Sequence, residues 1–186
     1  EIAAQDLEAL KKEPRQYARA DLVENGKTRI VGVGIRLKGS AGSYREWDDR
    51  PALTVKVDKF DKALTWKALH KFHLNNSVQD ETYQHELLAG EVMRAAGVAT
   101  PRVTHARVFL NGRDVGLYVL KEGFDQLFLS RHFADTTGNL YDGAEASRFE
   151  VRYSASAPVG EVVFQARALG TEFKYDDVRL YAWTQS

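Results

Sequence analysis

Ala52-Leu53-Thr54-Val55-Lys56-Val57 alternates without a break. Successive side chains of a strand point to opposite faces, so Leu53, Val55 and Val57 share one side and Ala52, Thr54 and Lys56 the other. The stretch therefore predicts a strand with one apolar face to bury and a lysine on the opposite face. Two Asn-Gly pairs extend the reading in both directions. Asn25-Gly26 separates strand-like runs at 17–24 and 28–37, and Asn111-Gly112 separates runs at 103–110 and 115–121. Both residues of a two-residue hairpin turn take positive φ, which Asn and Gly tolerate, so each pair predicts a hairpin. A further short strand is expected at 71–74.

Helical spacing is confined to three places. Leu7 and Leu10 lie three apart in 2–12, and Pro14 ends that segment. Asp80 can cap a helix over 81–96, in which Leu88, Val92, Ala95 and Ala96 follow helical spacing and Gly97 terminates. Residues 124–133 read as a short helix. The expected class is α+β: an antiparallel sheet with one main helix, followed by a short all-β segment. That segment begins after the small, polar stretch 142–147 and holds strand-like runs at 149–157, 161–169 and 172–183. The boundary divides the chain into 1–142 and 143–186. Three strands alone bury too little apolar surface to stand by themselves. The second part is thus expected to dock on the first or to be the remnant of a larger β-sandwich.

Composition removes several functions. Lys and Arg total 26 and so do Asp and Glu, and a zero balance argues against a dedicated nucleic-acid binder. The absence of cysteine excludes disulfides, thiolate nucleophiles and cysteine zinc sites. No apolar run approaches the roughly 18–20 residues of a membrane-spanning helix. The opening residue, Glu1 rather than Met, reads as a processed or excised chain. His70 and His73 lack a carboxylate at metal-ligand spacing, and neither an HExxH nor a GxSxG pattern occurs. Asp176 and Asp177 are strand neighbours and face opposite ways.

The order of elements is more informative: strand, glycine-bearing turn, strand with an embedded lysine, helix with embedded glutamates, hairpin, link, helix. A nucleotide triphosphate needs a fixed cation against its phosphates, and a helix glutamate to hold that cation. Lys56 suits the first role by its face, although a strand lysine is ordinarily just solvated. Lys38, at a strand end beside Gly39, is its rival. Glu86 and Glu91 stand five apart, about 140° around a helix, so they cannot serve one partner. The turn Lys38-Gly39-Ser40-Ala41-Gly42-Ser43 could wrap phosphate with its amides.

These residues resemble the CotH family, the spore-coat-protein-H-like atypical protein kinases. Ile35-Arg36-Leu37-Lys38-Gly39 is similar to its opening motif. So is Leu74-Asn75-Asn76 with Asp80 and Tyr83, and so is the helix from Tyr83 through Glu86, Glu91, Arg94, Gly97 and Val98. Pro101-Arg102, Val108 to Gly112, Gly116 to Tyr118, Glu122 to Asp125 and Gly138 to Tyr141 continue the likeness over residues 2–142. The resemblance implies a kinase small lobe in an ATP- and Mg²⁺-dependent enzyme acting on protein Ser, of coat or cell-surface type. It puts Lys56 and Glu86 in the catalytic pair, with Lys38, Lys56, Glu122 and Asp125 around the nucleotide. It implies an extracellular, cell-surface or spore-coat location. No metal ligand is assigned. After Tyr141 the family's large lobe, with its catalytic and metal-binding carboxylates, is expected, whereas the sequence runs into strands. The chain alone is therefore expected to be inactive. Those last strands look like the end of a carbohydrate-binding β-sandwich, with Tyr153, Phe164, Tyr175, Tyr181 and Trp183 available to stack on sugar. A non-catalytic scaffold or polysaccharide-binding module is the alternative reading.

Overall fold

In a computed structural model, residues 1–40 and 42–137 are described in full, together with the backbone of three short strands beyond them. The chain divides into two compact units, Glu1–Gly138 and Asn139–Ser186. In the first, α1 (Ala4–Lys12) precedes β1 (Ala18–Glu24), β2 (Thr28–Lys38), β3 (Ala52–Lys56) and β4 (Lys71–Asn75). Then come α2 (His85–Ala95), β5 (Val103–Leu110), β6 (Arg113–Glu122) and α3 (Gln126–His132). The six strands form one antiparallel sheet in the order β1-β2-β3-β4-β6-β5. The unit is mainly antiparallel sheet with few helices, which is the expected α+β composition.

Both hairpins form at the Asn-Gly pairs. Asn25 and Gly26 have φ of 52° and 65°, and Asn111 and Gly112 of 48° and 82°, the double positive-φ geometry that matches strand twist. The second turn has another use. Asn111 Oδ1 accepts from the Ile2 amide at 2.7 Å, and its Nδ2 donates to the Ile2 carbonyl at 2.9 Å. The Glu1 carbonyl in turn accepts from the Asp21 amide at 2.7 Å. The chain start thereby ties β1, one edge of the sheet, to the β5–β6 turn at the other.

Helix α2 starts four residues later than the sequence suggests. The Asp80 carboxylate accepts from the Thr82 amide at 3.1 Å, the Thr82 hydroxyl at 2.6 Å and the His85 amide at 2.9 Å. Tyr83 sits at φ 59°, where an L-residue cannot continue a right-handed helix. Asp80 thus holds a turn ahead of the helix and still takes its first amide.

The alternation in β3 sorts the sheet into two faces. Leu53, Val55 and Val57 join Val33, Ile35, Leu37, Phe72, Leu74 and Tyr118 in the core, with Ile2, Leu10 and Trp47 covering them. Trp47 comes from the loop between β2 and β3, which is less open than its composition suggests. Asn76, 2% exposed, donates from Nδ2 to the carbonyls of Ser43 (3.1 Å) and Arg50 (2.8 Å), and the Tyr118 hydroxyl donates to the Pro51 carbonyl at 3.0 Å. Burial pushes the Tyr118 phenol up to about 12, so it remains a donor.

The second unit contains β7 (Phe149–Arg152), β8 (Val163–Ala168) and β9 (Thr171–Glu172), antiparallel in that order. The rest of the three expected runs lies outside the described residues, as do Tyr153, Tyr175, Tyr181 and Trp183; Phe164 lies in β8. No helix among the described residues is long and apolar enough to cross a membrane.

Candidate functional site

The face opposite the core is cationic. Register puts Arg36 beside Thr54, Thr54 beside His73, and His73 beside Lys121, in one row across β2, β3, β4 and β6. The neighbouring row reads Gly34, Lys56, Lys71. On the other side Lys38 pairs with Ala52, and Asn75 pairs with Val119. Period-two alternation thus gathers Arg36, Lys38, Lys56, Lys71 and Lys121 from four strands onto one surface. The floor between them is closed, with Ala52 3% and Thr54 2% exposed.

His73 lies at the centre of this surface, its Nδ1 3.1 Å from the Thr54 hydroxyl. Burial first, and then the charges of Lys38, Lys71, Lys121 and Arg36, push its imidazole down to about 3. It is neutral throughout the physiological range. The unfolded chain binds this proton near pH 6.5 and the folded chain does not, so stability rises with pH between about 3 and 6.5. Acidification from pH 6.5 to 5 should cost up to about 2 kcal/mol through this group, at 1.36 kcal/mol per unit. Urea denaturation across that interval checks it. His73→Gln should flatten the acid limb, and an unchanged slope in that variant would assign it to other groups.

Helix α2 supplies the only acid aimed at the middle of this surface among the described interactions. The His105 imidazole donates from Nε2 to the Tyr83 carbonyl at 2.7 Å, which fixes the approach to the helix over β5. Glu86 then projects onto the sheet. Its Oε2 lies 3.1 Å from Lys121 Nζ, and its Oε1 accepts from Asn75 Nδ2. Asn75 Oδ1 accepts from Lys38 Nζ at 2.7 Å.

The expected site residues are thus only partly assembled. Lys38 and Glu86 come together through Asn75. The ion pair expected between Lys56 and a helix glutamate does not form: Lys56 Nζ lies 3.3 Å from Asp58 Oδ1, and Glu91 pairs with Arg94 on the helix surface. The physical reason is register. Lys56 stands one row beyond His73 and away from Asn75, whereas Glu86 lands over Asn75 and Lys121. Glu122 and Asp125 also have other partners. Glu122 is 2% exposed, its carboxylate held by Arg131 at 2.5 Å and by the Arg102 amide at 3.1 Å. Asp125 caps α3 by accepting from the Phe128 amide at 3.0 Å. In the glycine-bearing turn, the amides of Ser43 and Tyr44 donate to the Ser40 carbonyl and the Ser40 amide to Ser43 Oγ. These three amides are thus bonded within the loop itself, as in an ordinary turn.

Sequence reasoning missed Lys121. It lies at the end of Leu117-Tyr118-Val119-Leu120-Lys121, where four apolar-bodied residues in succession hide which face is polar. A cavity of about 1070 Å³ opens on the core face instead, with Val33, Ile35, Val55, Phe72, Leu74 and Leu120 in its wall. Its wall also carries Trp47, Trp66, Arg102 and His105, and of the expected site residues only Glu122 reaches it. Among the described residues no group of three His, Cys, Asp or Glu is placed to hold a metal ion.

A family model described as CotH kinase protein matches residues 35–183. The chain belongs to the CotH kinase family. No curated protein matches it. The CotH match begins inside β2 at Ile35, so α1 and β1 precede it, while Lys38, Asn75, Glu86 and Lys121 fall within it. It runs past the boundary read at 142 to Trp183 and includes β7, β8 and β9.

Proposed function

We propose that this chain carries the nucleotide-handling small lobe of a CotH-type protein kinase, which moves the γ-phosphate of ATP to a protein Ser. The observation that supports it is the cationic face crossed by Glu86. Phosphoryl transfer asks little covalent chemistry of a protein; it asks for positioned positive charge around oxygens that carry negative charge. Arg36, Lys38, Lys71 and Lys121 surround His73 on one sheet, and a helix carboxylate meets Lys121 directly and Lys38 through Asn75. The residues fit the phosphate end of a nucleotide. Lys38 and Lys121 would face its oxygens, Glu86 would fix both ammonium groups, and neutral His73 adds no acid to the site.

ATP, when bound, supplies the phosphoryl group. Lys56, beside Lys71 in the next row, would extend the cationic floor towards the far phosphate. The backbone of the link from Tyr118 to Asp125 would meet the base, since the side chains of Glu122 and Asp125 are engaged elsewhere. Mg²⁺, a protein substrate of coat or cell-surface type, and a location outside the cell or in the spore coat belong to the same proposal by family.

The test uses the whole chain. Mg·ATP at 100 times its Kd should stabilise the fold by about 2.7 kcal/mol, read as a rise in Tm. Isothermal titration should give a saturable heat. A chain that neither binds Mg·ATP nor gains Tm would overturn the reading.

A further inference from the structure

We infer that Asn75 is a positioning residue that couples Lys38 to Glu86, so that the triphosphate clamp is built from β2 and β6 across an uncharged amide on β4. The inference rests on the nucleotide reading for the identity of the anion, and on geometry for the clamp itself. Lys38 and Asn75 stand on strands flanking β3, whose intervening residue is Ala52. Two strand spacings separate their backbones by about 10 Å. A lysine stem can cross that gap only over a small side chain, and Ala52 provides one.

The amide chemistry then fits at both ends. An ammonium only donates and a carboxylate only accepts. The Asn75 oxygen therefore faces Lys38 Nζ and its nitrogen faces Glu86, the orientation found. Leucine would break both links. Aspartate would set a second carboxylate against Glu86. The remaining Glu86 oxygen holds Lys121, so one ammonium group meets the carboxylate directly and the other is linked to it through the Asn75 amide. Lys121 is 31% exposed at its side chain and Glu86 30%, so solvent and ligand reach the clamp.

Isothermal titration of the full chain with sodium tripolyphosphate, and separately with Mg·ATP, tests this. Asn75→Leu and Lys38→Met should each weaken tripolyphosphate binding at least tenfold, with the far-UV spectrum of the unaltered chain retained. Lys38→Met combined with Asn75→Lys should recover most of that loss, because the new stem delivers an ammonium to Glu86 from β4 itself. A merely structural Asn75 would not give that rescue. Binding unchanged in both single variants, or a double variant no better than Lys38→Met, would overturn the inference while leaving the nucleotide reading intact. Tripolyphosphate binding with these losses, but no binding of Mg·ATP, would support the clamp and remove the nucleotide. An unaltered chain that binds neither would overturn both.

Discussion

Alanine in place of Phe72 should cost the folded state about 3–5 kcal/mol, the range for removing a buried phenylalanine. Phe72 is 1% exposed at the second position of β4, with its ring centroid 4.9 Å from that of Trp66. Val55 and Glu122 flank it on the neighbouring strands. A domain of this size is ordinarily stable by 5–15 kcal/mol in all, so the change removes a large fraction. The effect should also reach the other face. Lys71 and His73 are the chain neighbours of Phe72, and a β4 that shifts into the vacated volume moves both. Urea denaturation gives the stability, and anion titration of the still-folded fraction gives the second effect. A loss under about 1 kcal/mol would mean that the sheet does not close its core around this ring.

Glu122→Ala should cost about 3 kcal/mol, the lower end for removing one partner of a buried ion pair. Glu122 is 2% exposed, whereas its partner Arg131 keeps 22% and can recover some hydration. The carboxylate also accepts from the Arg102 amide, which would be left without that partner. The pair joins the end of β6 to α3, so the variant should loosen the link that the kinase reading assigns to the base. Replacing both residues by apolar ones, Glu122→Met with Arg131→Leu, should cost much less than the single change, because no charge is then stranded. Equal losses in the single and double variants would show that packing, not the buried charge, sets the effect. Guanidinium denaturation of both variants decides it.

The contrast between these two residues shows how far local pattern reaches. Phe72 was placed in a short strand by its neighbours, and its burial follows from strand alternation. The family resemblance puts Glu122 at a nucleotide, whereas chain order carries no information about what α3 turns back towards it. The sequence contains Arg131 nine positions away, but only the turn from β6 into α3 brings the guanidinium onto the carboxylate. Asp80 shows a similar limit: its capping chemistry was legible, while the positive φ of Tyr83 that delays the helix was not.

What the sequence determined by itself is local. Alternation in β3, the two Asn-Gly turns, and the cap and terminator of α2 made an antiparallel sheet with one main helix, since period and turn chemistry act within a few residues. They also put Lys38, Lys56 and Glu86 on view as candidates. Which cation meets Glu86 was decided by the tertiary structure. Strand order β2-β3-β4-β6 and a single register choice set Asn75 and Lys121 within reach of Glu86 and left Lys56 one row beyond Lys121 and two beyond Asn75, because a two-residue step along a strand displaces a side chain by about 7 Å. No pairwise feature of the sequence encodes that step; it is fixed when four strands agree on one buried face.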